Sequence, residues 1–416
     1  MTYLITHVRI FDGEQVMLED AHVLIENGRI ASISSNIPPA LPEGCVRIPG
    51  SGCTLLPGLI DSHVHVYNDA TFLCNALRFG VTTVLDMHNE PHWFQEMKQL
   101  AVAREDVADI LSACYAATVK DGWPAAIIQL TADSPQVGDR LAQWPDVVDV
   151  ASAETFVVRN IESGASFIKL MQESGLPFNL PFPSVPVPTP SSQVQKAIVD
   201  IAHRHGLLTV GHALSFNDTA ALLDAGVDGL AHACCQALSE QERSFFLERE
   251  PMPFVIPTLA VQASAGAEEV ESRKLYSQRL GEEHDRAHMC ECLAIARNGF
   301  TMENAAENVR LFKKGGMDIV CGTDSSSHLK GVFVGASLHH ELWLYVNRCG
   351  FTPLEALQSA TSVPARIFKL HDRGRVATGL KADLVLVKGN PTTDIECTLD
   401  ISEVWRNGVR LDMCWS

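Results

Sequence analysis

His63-Val64-His65 is the spacing in this chain that points most directly to chemistry. On a β-strand residues i and i+2 face one side, so the two imidazoles point together. Three more residues of ligand type end apolar runs: His212 in Thr209-Val210-Gly211-His212-Ala213, His232 in Leu230-Ala231-His232-Ala233, and Asp324 in Cys321-Gly322-Thr323-Asp324-Ser325. Each alone has a plain reading, such as a histidine in a surface turn. Together, four imidazoles and one carboxylate at the C-terminal ends of expected strands are the donor set of a catalytic zinc-type metal site. Lys169 sits in the apolar run Phe167-Ile168-Lys169-Leu170-Met171. A buried ammonium beside metal cations is heavily penalised. It could pair with a carboxylate, stay neutral without metal, or be carbamylated by CO2. The carbamate, an anionic oxygen donor able to bridge two ions, suits five neighbouring ligands of this kind.

These residues need elements that bring them together. Eight apolar runs recur along the middle of the chain: 59–66, 81–87, 110–117, 167–171, 208–213, 229–233, 254–259 and 319–323. Helix-like stretches such as 192–205 and 218–225 lie between them. Alternating buried strands and helices predict an α/β architecture, a parallel (β/α)8 TIM barrel whose active site lies at the C-terminal strand ends. Both termini read differently. Val23-Leu24-Ile25-Glu26 and Arg29-Ile30-Ala31-Ser32-Ile33 flank Asn27-Gly28, and Val404-Trp405-Arg406 and Val409-Arg410-Leu411 flank Asn407-Gly408, two hairpin signals. Neither short β segment can make its own core. The expectation is one small β-sandwich domain from residues 1–54 and 373–416, and a barrel over 55–372. The Pro-rich segment 175–190 follows the fourth run as a long loop, expected to be functional or mobile.

Composition narrows the function. The chain has 416 residues, 46% hydrophobic and 20% charged, with a net charge of −18. An acidic surface repels phosphate backbones and anionic membranes, so no nucleic-acid or membrane partner is expected. The uncharged stretch 174–195 holds six prolines and cannot be a membrane helix. No signal peptide is visible at the start. Twelve scattered cysteines without a CxxC read as reduced thiols in the cytoplasm.

The sequence resembles the amidohydrolase superfamily over essentially its whole length. The HxH, the lysine, the two later histidines and the aspartate match its binuclear pattern. So do the flanks Pro57-Gly58-Leu59-Ile60-Asp61, Thr352-Pro353-Leu354-Glu355-Ala356-Leu357 and Gly379-Leu380-Lys381-Ala382-Asp383-Leu384-Val385. It is most similar to the imidazolonepropionase-like and prolidase-like branch that includes ochratoxin-hydrolysing enzymes. The resemblance implies that His63, His65 and Asp324 hold one divalent ion, that His212 and His232 hold a second, and that carbamylated Lys169 bridges them. Zinc is the default ion, with manganese or cobalt fitting similar donors. True imidazolonepropionases are mononuclear and lack this lysine, which argues against that exact activity. A homo-oligomer is also implied.

The expected function is hydrolysis of an amide bond in a small-molecule substrate, such as an N-acyl amino acid or dipeptide, by a bridging hydroxide with Asp324 as proton carrier. A lactone or cyclic amide is the nearest rival, followed by a lyase or rearrangement. A scaffold without ligands is disfavoured because all six positions are filled. His88, His288 and His328 are candidate substrate contacts, with His92 near the mouth. His203 and His205 fit a helix C-terminus, and His339-His340 a helix face. Ser325, Cys234 and Cys235 adjoin ligands, but no positioned base marks them as nucleophiles.

Overall fold

The computed structural model describes residues 1–131 and 136–412. Five strands come first: β1 (Tyr3–Phe11), β2 (Val16–Glu26), β3 (Arg29–Ser34), β4 (Val46–Pro49) and β5 (Cys53–Pro57). Eight short parallel strands follow: β6 (Leu59–His65), β7 (Val81–Asp86), β8 (Asp109–Ser112), β9 (Ile168–Met171), β10 (Thr209–His212), β11 (Gly229–Ala231), β12 (Phe254–Ile256) and β13 (Ser325–Ser326). The chain ends in β14 (Leu384–Lys388), β15 (Ile401–Arg406) and β16 (Val409–Arg410).

The two ends build one hydrogen-bonded sheet in the order β16-β15-β14-β5-β1-β2-β3, with β4 beside β1. The Asn-Gly signals make the turns they imply. Asn27 and Gly28 have φ of 51° and 79°, and Asn407 and Gly408 have 49° and 72°, both residues left-handed as a two-residue hairpin requires. The tips touch: a Cβ on Gly408 would lie 2.7 Å from the Gly28 Cα. The sheet curls over its own core. The rings of Tyr3 on β1 and Trp405 on β15 are 6.3 Å apart although two strands lie between theirs.

The middle of the chain is α/β with curled parallel sheets. β9–β12 form one set of four; β13, β6, β7 and β8 form the other. Single parallel bridges, Ala117 to Leu170 and Val255 to Ile319, connect the sets on either side. Helices such as Ser192–Arg204 carry one buried stripe. There it is Val194, Ile198, Ile201 and Ala202, and the Ser191 side chain caps the first turn. Between the sheets, Phe167 lies two residues below Lys169 and Val210 two below His212, so apolar side chains fill the strands' N-terminal halves and polar ones the other end.

The run 319–323 departs from the expected eighth strand. It carries only the Ile319 bridge, and the paired strand is Ser325–Ser326, beyond Asp324. The run still lies between its neighbours: Val320 N–H donates to the Val255 carbonyl of β12, Ser62 N–H of β6 to the Cys321 carbonyl, and Asp324 N–H to the His63 carbonyl. Cys321 N–H, however, turns to the Ser359 carbonyl at the end of the helix Pro353–Ser359, which interrupts the regular ladder.

At the N-terminal ends of the strands Asp109 ties elements together. It accepts from Lys98 Nζ and from Arg373 Nη1, each at 2.8 Å. Burial alone would raise its pKa, but the two cations outweigh burial and hold it at about 2. The folded-state value lies below the unfolded one, so this stabilisation is present above pH 4 and disappears as pH falls toward 2. Asp109→Asn is expected to cost about 2 kcal/mol at pH 6 and almost nothing at pH 2. Denaturant midpoints of both proteins at the two pH values check it; an equal gap at both removes the charge pairing as its cause.

Candidate metal centre

β6 ends on His63 and His65. Below them on the same face Asp61 is fully buried. Its carboxylate accepts from the backbone N–H of His63 (3.2 Å) and Thr323 (3.1 Å) and from the Thr323 hydroxyl (2.7 Å). Burial pushes its pKa up to about 7 against these hydrogen bonds. Asp61 thereby clamps the Asp324 segment onto β6. Gly322 permits the approach, since a Cβ there would meet His63 N at 2.8 Å and Ile256 Cγ2 at 2.5 Å. Asp324 then turns with φ of 57°, and its Oδ1 lies 3.3 Å from His63 Nε2 and 3.0 Å from His65 Nε2. These three side chains form a group able to hold a metal ion.

His212 and His232 stand beside them. His212 Nδ1 and His232 Nε2 are 2.8 Å apart, and the His63 and His232 rings are 4.9 Å apart. His232 has φ of 95°, an unfavourable value for a side chain with a Cβ that places its ring over the strand ends. Its Nδ1 lies 2.7 Å from Thr258 Oγ1. Thr258 itself precedes a helix whose first N–H groups, of Leu259 and Ala260, donate to the buried Glu341 carboxylate. Lys169 is 1% exposed and its Nζ has no partner. Its charge is felt at His63, His65, His212 and His232.

The electrostatics favour the metal-binding form of three of the four histidines, whereas Asp324 raises His65 against the effect of burial. Burial lowers His63 to about 3 and takes His212 and His232 well below the ordinary histidine value, so their lone pairs are free at neutral pH. Burial also lowers Lys169 to about 7. Against burial, His63 and His65 keep Asp324 well below the usual carboxylate range. The buried, unpartnered His63 Nδ1, His212 Nε2 and Lys169 Nζ are the sort of atoms a ligand or a modification would satisfy.

The other candidates are not among these donors. The His88 ring is buried against Tyr115 and Trp144 and its Nδ1 accepts from Ala116 N–H (3.0 Å); its backbone carbonyl, not its ring, approaches His65 Nδ1, at 3.5 Å. His288 Nε2 lies 3.0 Å from the Leu329 carbonyl. His328 packs 6.0 Å from Tyr67, whose ring stacks on His65. His339 and His340 are buried in their helix, His339 between Thr398 and the Phe79 carbonyl and His340 against Ser272. The Pro-rich segment is tied down: Asn179 N–H donates to the Ile295 carbonyl and Arg297 N–H to that of Pro177. Phe178 stacks on Trp123, which stacks on His212.

Three residues at the site had no assigned part in the sequence reading. Asp61 keeps step with His63 and His65, a two-residue alternation that the sequence does display. Trp123 and Glu173 carry no such pattern. Glu173 is fully buried, its Oε2 lies 3.5 Å from His212 Nε2, and burial with Asp218 nearby pushes it well above the usual carboxylate range.

Comparison with known proteins gives a consistent picture. The profile described as the amidohydrolase family matches residues 54–411. An imidazolonepropionase of Deinococcus deserti is 36% identical over 110 residues, 26% of this chain and 27% of that protein. The chain covers about a quarter or less of the first curated relatives' lengths. A Xaa-Pro dipeptidase with bound methionine superposes with a TM-score of 0.75 at 18% identity, covering 99% of this chain and 100% of that one. The ochratoxinase of A. niger gives 0.70 at 19%, covering 98% and 95%. Likeness at such identities is likeness of fold.

Proposed function

Because the chain belongs to the amidohydrolase family, we propose that it is a metal-dependent hydrolase of an amide bond in a small molecule, an N-acyl amino acid or a dipeptide. The observation that carries this reading is the meeting of five buried or half-buried donors and one unpartnered lysine at a single end of the parallel strands. In it the two curled sheets close as a (β/α)8 barrel over residues 55–372, and 1–54 with 373–416 form the second domain. His63, His65 and Asp324 would hold one divalent ion and His212 and His232 a second, with Lys169 as its carbamate a further oxygen donor. When bound, the ions would polarise the scissile carbonyl and lower the pKa of the attacking water.

The chain's own side chains do the rest. Asp324 takes the water's proton and returns it to the departing nitrogen, which needs it because an amide anion is a poor leaving group. Asp61 and Thr323 hold Asp324 in place. Trp123 and Phe178 shield the outer face of His212. All eleven cysteines among the described residues are unpaired, which supports a reducing, cytoplasmic setting. No described helix is long and apolar enough to cross a membrane.

The test is a screen of N-acyl amino acids, dipeptides and lactones with purified protein, with and without chelator. The expected result is a product heavier than its substrate by one water. Turnover should fall at least 100-fold on metal removal and return with Zn2+, Mn2+ or Co2+. Turnover of lactones alone would move the substrate class to esters. Failure to take up any of the three ions would end the hydrolase reading.

A further inference from the structure

Beyond the ligands, the site contains a carboxylate with no role in the reaction above. Glu173 lies two residues past the end of β9 and is 0% exposed. A buried carboxylate is costly unless its oxygens are satisfied. One is: Oε1 accepts from Gly175 N–H at 2.8 Å. The other, Oε2, has no hydrogen-bond partner, and it lies 3.5 Å from His212 Nε2, which is likewise buried and unpartnered. The two orphaned atoms face each other.

The backbone carrying Glu173 is registered to the element carrying His212. Gln172 N–H donates to the His212 carbonyl (3.0 Å). Ser174 donates through its N–H (3.2 Å) and its hydroxyl (2.6 Å) to Asp218, which also accepts from the Ser215 hydroxyl (2.7 Å). The residues on either side of Glu173 are thus fastened to His212 and to the helix that follows it. A carboxylate so fixed can set the orientation and tautomer of its imidazole partner.

We propose that Glu173 is the positioning residue for His212, its carboxylate accepting the Nε2–H so that the Nδ1 lone pair is held toward His232 and a divalent ion. The inference rests on the two-ion reading above. It requires His212 to be the Nε2–H tautomer, which leaves Nδ1 as the donor.

Glu173→Gln gives a sharp test. Gly175 N–H already claims one oxygen, so the amide oxygen is drawn to it and the NH2 is left facing His212 Nε2. Two donors then oppose each other, and His212 must move its proton to Nδ1, which can no longer bind an ion. The isosteric change is therefore expected to be at least as harmful to ion binding as Glu173→Ala, whereas a role in packing alone would make alanine the worse of the two. The experiment loads each protein with Zn2+, dialyses it against graded dipicolinate and measures zinc by elemental analysis. The visible spectrum of Co2+-loaded protein reports the donor set. Glu173→Gln is expected to lose one of its two ions at about 10- to 100-fold lower chelator than the wild type, with an altered Co2+ spectrum. Retention of both ions as in the wild type, or a defect in alanine alone, overturns the proposal. Should the glutamine variant not fold, unchanged zinc retention in Glu173→Ala overturns it equally. A wild type that binds no second ion would bring down the two-ion reading and this inference with it. Two ions held equally by wild type and variants would bring down the inference alone.

Discussion

Lys169→Met is expected to lose about 1000-fold or more in turnover while, with both proteins compared metal-free, melting no lower than the wild type. The two halves of that result belong together. Methionine matches lysine in length and is apolar, and Lys169 Nζ makes no hydrogen bond to lose. Replacing an unsatisfied buried polar atom by an apolar one is neutral or stabilising. The activity loss has a separate source. Burial brings the amine down to about 7, so an uncharged amine, the form that adds CO2, is abundant at neutral pH. On the function proposed above, a carbamate there would turn a group that repels cations into an oxygen donor. Without it an ion would be lost or loosened, and several kcal/mol of charge stabilisation in the transition state would go with it; each 1.4 kcal/mol is tenfold in rate. Metal uptake by the wild type should rise when bicarbonate is added to CO2-depleted buffer, and uptake by the variant should not respond. Lys169→Ala in the presence of acetate should recover part of the rate, because a small carboxylate can enter the space left by the side chain. Near-normal turnover in Lys169→Met would reduce Lys169 to a core lysine.

How much of this centre could be read from the sequence follows from where each residue sits. His63, His65, Lys169 and His212 lie on strands, where a period of two and an apolar flank reveal which way a side chain points. The Asn-Gly hairpins were legible because only certain residues tolerate two successive left-handed positions. The order of the terminal sheet was not. It depends on β5, far from β14 in the chain (Cys53 pairs with Lys388), pairing with it in the middle of the sheet. The eighth run is irregular for a similar reason: one of its partners, Ser359, comes from a helix end that no local pattern links to it. His288, on the helix Glu283–Cys290, shows the limit for contacts with loops. Nothing in its neighbourhood signals that its ring would meet the Leu329 carbonyl. Glu173 was hidden by its surroundings, since a glutamate before Ser-Gly at a strand end reads as a solvated turn.

Asp324→Asn separates a ligand from a proton carrier. Asn presents a carbonyl oxygen where Oδ1 now faces His63 and His65, so an ion at this position keeps an oxygen donor. Thr323 and Asp61 hold the backbone through contacts the substitution does not touch. What Asn cannot do is accept a proton from water and pass it on. For an amide, whose nitrogen must be protonated as it leaves, the expected loss in kcat is about 10²- to 10⁴-fold. For an aryl ester with the same acyl group the phenolate leaves without a proton, so only the first transfer is missing and the loss should be at least tenfold smaller. Measuring kcat for the matched pair, with zinc content determined on the same samples, distinguishes the roles. Equal losses for both substrates, with zinc reduced in step, would make Asp324 a ligand and nothing more. An unchanged amide rate would place the proton transfer on another group, and among the carboxylates described around the site only buried ones such as Asp61 and Glu173 stand near enough to be asked next.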